Sequence, residues 1–87
     1  MKKTTVIVPE GAELEQVKFT AHLVAIASHY VSDMIISDKR NNIDLKSILG
    51  MMTLVMHAGK TFTIQINGSD EDAAEKAIVE FFNQRGE

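Results

Sequence analysis

The chain has 87 residues, 45% of them hydrophobic, with 9 basic against 12 acidic side chains and a formal net charge of −3. This length supports one domain with a single small core, so residues 1–87 are read as one unit. The acidic balance gives no reason to expect a nucleic acid as partner, and the lack of cysteine excludes a disulfide framework and thiolate chemistry. A mean hydropathy of −0.02 fits a soluble globular chain. No apolar run approaches a membrane span, and Met1-Lys2-Lys3-Thr4 leads into a stretch too short for a signal segment. The expectation is a cytoplasmic protein without membrane association and without a cofactor.

Thr4 to Val8 is β-branched throughout and predicts a first strand stopped by Pro9. Glu10 to Glu15 reads as an acidic loop. A helix is predicted from about Val17 to Ser28, with Phe19, Leu23, Ile26, Ala27 and Tyr30 as its buried stripe. Met34 to Ser37 is a second strand, and the polar turn Asp38 to Asn42 leads into Ile43-Asp44-Leu45 as its hairpin partner. Ser47 then occupies a helix N-cap position before the apolar run Ile48 to Met56, which has helical length and ends at Ala58-Gly59.

Thr61 to Ile66 alternates strictly, with Phe62, Ile64 and Ile66 facing the core and Thr63 and Gln65 on the other face. Asn67-Gly68 turns the chain and Ser69 reads as the next N-cap. Asp70-Glu71-Asp72 load the first turn with charge of the favourable sign, which is ordinary helix-start chemistry rather than a metal site. Ala74, Ala77, Ile78 and Phe81 form the stripe of the last helix. The order is strand, helix, strand, strand, short helix, strand, helix. An α+β fold, with three helices on one face of a four-stranded antiparallel sheet (βαββαβα), buries all these stripes at once.

From the residues alone, Ser47 is a capping serine worth about 1 kcal/mol. Ile48, Leu49 and Met52 form a compact group beside it, either buried by a short apolar helix or exposed as a docking patch. The segment Leu45-Lys46-Ser47-Ile48-Leu49-Gly50-Met51-Met52-Thr53-Leu54 resembles the regulatory-serine segment of HPr, the small phosphocarrier family of the bacterial sugar phosphotransferase system. The resemblance extends nearly end to end, through Ala27-Ser28-His29-Tyr30, Ala58-Gly59-Lys60 and Gly68 to Ala73. It implies an open-faced β-sandwich. It also implies that Ser47 is the serine phosphorylated by an ATP-dependent HPr-type kinase, and that Ile48, Leu49 and Met52, with Lys18 as basic rim, bind partners.

In that family a histidine at the start of the first helix takes phosphate from phosphoenolpyruvate through enzyme I. The reaction needs an imidazole nucleophile and a basic neighbour. The matching stretch here is Leu14 to Phe19: Gln16 stands at the histidine position, Lys18 at the arginine and Phe19 at the proline, with Leu14 in place of glycine and Glu13 and Glu15 adding negative charge. A glutamine amide is no phosphoryl acceptor, so Gln16 and Lys18 mark a degenerate active site. His22, His29 and His57 read as surface or boundary residues; His22 and His29, spaced i, i+7, are too far apart for one metal ion.

Gln16 together with Ser47 makes the chain similar to the catabolite-repression branch of the family. That likeness implies a non-enzymatic, phosphoserine-dependent co-effector in carbon catabolite regulation, with a LacI-type catabolite control regulator or enzyme I as partner. The branch keeps arginine and proline where Lys18 and Phe19 stand here. Two alternatives stay open: a working phosphocarrier with an atypical acceptor, and a vestigial HPr-fold interaction module. The expected state is a monomer, with Thr4 to Val8 available for exchange into a swapped dimer.

Overall fold

The strict alternation of apolar residues makes Thr61–Asn67 the strand on which the sheet is built. The computed structural model describes residues 1–84 and runs β1 (Lys2–Ile7), a 3₁₀ turn (Ala12–Glu15), α1 (Gln16–Ala27), β2 (Asp33–Ser37), β3 (Asn42–Asp44), α2 (Ile48–Met51), β4 (Thr61–Asn67) and α3 (Glu71–Gln84). The sheet order is β1-β4-β2-β3, antiparallel throughout. Pairing sets Val6 against Phe62 and Ile36 against Ile64. With a side-chain period of two, Val6, Met34, Ile36, Phe62, Ile64 and Ile66 then share one buried face. α3 packs on β1 and β4, and α1 packs on α3 and α2.

The helical stripes close the core. Phe19 of α1 meets Phe81 and Phe82 of α3 with ring centroids 4.9 and 5.6 Å apart, in the tilted and edge-on arrangements that aromatic quadrupoles favour. Leu23, Ala27, Ala74 and Ile78 are buried as the spacing predicts, whereas Ile26, Tyr30 and Ala77 are only half-buried. Thr20, Val24 and Phe82 are buried in addition. α1 is apolar around most of its circumference, so periodicity alone leaves the angle of its inward face undefined.

Four local expectations are corrected. β1 begins at Lys2 and ends at Ile7 because β4 supplies partners over that whole length; Val8 instead bonds the turn at Gly59 and Lys60. Part of the acidic loop winds into the 3₁₀ turn Ala12–Glu15. The residue before α3 is Asp70, whose carbonyl accepts the Ala74 N–H, rather than Ser69. Gly68 precedes it because a Cβ there would lie 2.6 Å from the Ser32 Cα.

The largest correction concerns the run after Ser47. α2 is a single turn, Ile48–Met51, followed by i to i+3 bonds from Thr53 N–H to Gly50 and from Leu54 N–H to Met51, after which the chain leaves helical geometry. The buried residues are Met51, Leu54 and Met56. Their spacing of three and then two cannot lie on one helical face. Ala58-Gly59 therefore belongs to a tight turn in which Lys60 N–H bonds the His57 carbonyl and Gly59 takes φ +87°.

Two predictions come from the core and its seams. Thr20 is fully buried, and its Oγ1 has no hydrogen-bond partner among the described residues. Thr20→Val keeps the shape, removes an unpaired hydroxyl and should stabilise the protein by about 1 kcal/mol. A raised urea midpoint with unchanged slope is the expected reading; a lowered midpoint would show that the hydroxyl is satisfied. The second concerns Asp70, whose carboxylate accepts the Ser32 hydroxyl and the N–H groups of Val31 and Ser32. The Ser32 hydroxyl bond, then the Val31 N–H, holds its carboxyl below the ordinary 3.8. A depressed folded-state value means stability fully present above the unfolded-state value and lost as pH falls through the lower, folded one. Asp70→Asn should therefore be less stable at neutral pH and lose less stability on acidification below 3.8. Thermal midpoints across acid pH check this, and parallel curves for parent and variant would refute it.

Candidate functional site

The 3₁₀ turn and the start of α1 bring Glu13, Gln16 and Lys18 to the end of the molecule where α2 also lies, because α1 and α2 pack on each other. Gln16 is half-buried and uses both ends of its amide: Nε2 donates to the Leu54 carbonyl at 2.7 Å, and Oε1 accepts the Met56 N–H at 3.1 Å. The segment that leaves helical geometry after α2 thus has backbone groups satisfied by the side chain that opens α1. The two bonds also settle the amide's orientation, since its donor and acceptor ends are not interchangeable here. Phe19 turns into the aromatic core, and Lys18 is exposed.

Ser47 has an extended backbone (φ −94°, ψ 106°), and its Oγ accepts the Gly50 N–H at 3.2 Å. This is the geometry of an N-cap. The preceding Lys46 sends its ammonium to the Tyr30 carbonyl at 2.6 Å, tying the end of α1 to the start of α2. Ile48, Leu49 and Met52 are 42%, 82% and 36% exposed, and Met51 takes the inward position of the turn. Leu14, Val17 and Val55 are exposed as well. Reading the sequence singled out neither Val17 nor Val55; Val17 stands beside Lys18, but Val55, between Leu54 and Met56, carries no local signal of exposure.

The histidines separate. His22 is exposed on α1 and His29 in the turn just after it, whereas His57 lies next to the segment held by Gln16, with Nδ1 3.2 Å from Glu13 Oε2. The acidic run before and in α3 is divided among different partners: Asp70 bonds the Val31–Ser32 backbone, Glu71 accepts the Gly68 N–H, and Asp72 pairs with Lys2 at 2.9 Å. Among the described residues no group of three or more acidic, histidine or cysteine side chains is placed to hold a metal ion.

Gln16 thereby acquires a structural duty that its sequence position does not announce. Gln16→Ala removes two hydrogen bonds and should destabilise by about 1 kcal/mol per bond. Gln16→Glu should be at least as damaging at neutral pH, because a carboxylate oxygen then faces the Leu54 carbonyl in place of a donor. Denaturant midpoints for both variants check this. Glutamate tolerated as well as glutamine would mean that the Leu54 bond contributes nothing.

No helix among the described residues is long and apolar enough to cross a membrane. The family model described as the phosphotransferase-system HPr component phosphorylation site matches residues 2–84. The phosphocarrier protein HPr of Lysinibacillus sphaericus is 34% identical over 82 residues, covering 94% of this chain and 90% of that protein. Among solved structures, the histidine-containing phosphocarrier protein of Mycoplasma matches with a TM-score of 0.85 at 27% identity, over 98% of this chain and 96% of its own. The Bacillus subtilis catabolite-repression protein Crh, solved as a dimer with a swapped domain, matches with a TM-score of 0.73 at 26% identity over 80% of each chain. The antiparallel sheet under three helices, the match across nearly the whole chain and these similarities together establish that the protein belongs to the HPr family.

Proposed function

We propose that this chain is a regulatory member of its family that does not run the phosphocarrier reaction and acts by docking, switched through phosphorylation of Ser47. The observation that carries the reading is Gln16. At the start of α1, where a phosphocarrier presents a nucleophilic imidazole, stands an amide with both polar atoms committed to the backbone of Leu54 and Met56. Similarity to Crh supports the same direction.

At Ser47 the kinase reaction transfers the γ-phosphoryl of ATP to Oγ. The bond to the leaving ADP breaks, and the hydroxyl proton passes to a base on the kinase. Oγ already accepts the Gly50 N–H, and phosphoryl oxygens can keep that role, so α2 retains its cap. What changes is the surface: about two negative charges appear beside Ile48, Leu49 and Met52. Exposed apolar clusters of this kind mark partner sites. A LacI-type catabolite control regulator and enzyme I are the partners proposed, with Lys18 as the remaining basic contact. Exchange of β1 between copies would give a dimer, since β1 is an edge strand followed by Pro9 and Gly11.

One observation favours a second reading. His57 is exposed, lies next to the segment bound by Gln16, and has Nδ1 engaged by Glu13, which leaves Nε2 for a phosphoryl group. A residual phosphocarrier would use that nitrogen.

Intact mass after two parallel incubations separates the readings. With ATP and an HPr kinase, one phosphoryl group should be added to the parent and none to Ser47→Ala. The variant loses a cap worth about 1 kcal/mol and should remain folded by circular dichroism. With phosphoenolpyruvate and enzyme I the parent should gain nothing. Phosphate on Ser47→Ala in the first tube refutes the serine assignment, and an acid-labile phosphate in the second, lost in His57→Ala, returns the protein to the phosphorelay.

A further inference from the structure

A groove of about 600 Å³ opens away from Gln16 and Ser47 and shares no residue with that site. Ser37 of β2 and Thr61 and Thr63 of β4 line it, together with the turn residues Asp38, Lys39 and Arg40 and with Lys60. Thr61 and Thr63 alternate with the buried Phe62 and Ile64, and Ser37 pairs with Thr63, so the three hydroxyls lie on the sheet face opposite the helices.

The turn is held in place from within. Asp38 Oδ1 accepts the N–H groups of Arg40 and Asn41, each at 2.8 Å, and Oδ2 pairs with Lys60 Nζ at 3.0 Å. The Arg40 N–H, then Lys60, keeps the Asp38 carboxyl well below the ordinary carboxylate range. Since Asp38 and Lys60 neutralise each other, the groove's excess charge is that of Lys39 and Arg40, both exposed. It stands out on a chain whose net charge is −3.

We propose that this groove binds a small organic phosphate carrying at least two negative charges, with Lys39 and Arg40 taking the phosphoryl oxygens and Ser37, Thr61 and Thr63 the polar body. A guanidinium offers a planar fork that matches phosphate oxygens two at a time, and an ammonium adds a point charge. Hydroxyls donate and accept, which suits ester, ribose or sugar oxygens. The volume falls within the roughly 300–1,000 Å³ of small-molecule sites. A turn already ordered by Asp38 limits the entropy lost on binding. An extended acidic peptide is the poorer occupant. The floor is β2 and β4, both paired on either side, so no free strand edge lies beneath a peptide backbone.

Amide chemical shifts of the full chain, titrated with ADP and separately with pyrophosphate at fixed ionic strength, test the proposal. Saturable shifts should be confined to residues 37–41 and 60–63. The Lys39→Ala/Arg40→Ala double variant should weaken both ligands about tenfold or more with the remaining spectrum unchanged. Thr63→Val should weaken ADP more than pyrophosphate. Equal shifts with sulfate, titration curves unaffected by the double variant, or a glutamate-rich peptide binding as tightly as ADP would overturn it.

Discussion

The last strand in sequence is the second in space. β4 forms between β1 and β2, so the sheet cannot assemble until residues near the end of the chain have come between its first two strands. Three consequences come from that constraint. β1 finds its partner only at Thr61–Asn67, and its length follows from theirs. The apolar faces of β1, β2 and β4 merge into one surface that α3 and α1 must cover. The connection between β3 and β4 must cross the molecule's end, which draws residues 48–60 against the start of α1.

That crossing is where the candidate site arises. A chain leaving helical geometry within a protein needs partners for its backbone groups, and Gln16 supplies one donor and one acceptor to the carbonyl of Leu54 and the N–H of Met56. The same arrangement turns Met51, Leu54 and Met56 inward and leaves Ile48, Leu49, Met52 and Val55 facing solvent. One side chain thus helps define both the fold of the segment and the surface it presents.

Local chemistry was legible wherever period or capping decided it. The alternation of Thr61 to Ile66 and the cap at Ser47 both report themselves within a few residues. The stripe of Phe19, Leu23 and Ala27 did so as well. Legibility failed where a residue's role is assigned from far away. Ile48 to Met56 is apolar enough for a helix, yet Leu54 and Met56 are claimed by the core at a spacing no helix matches. Asp70, not Ser69, precedes α3, and its carboxylate secures the turn before β2 instead of its own helix.

The sequence by itself determined the order of the strands and α-helices, the inward faces of the strands, the capping serine and the glutamine at the start of α1, because each follows from short-range periodicity or from the chemistry of one side chain. Tertiary structure alone decided what Gln16 bonds, where α2 stops, which of its apolar residues reach water, and that Lys39, Arg40 and three hydroxyls frame one groove. Those outcomes depend on pairings between segments distant in the chain, and no local propensity carries that information.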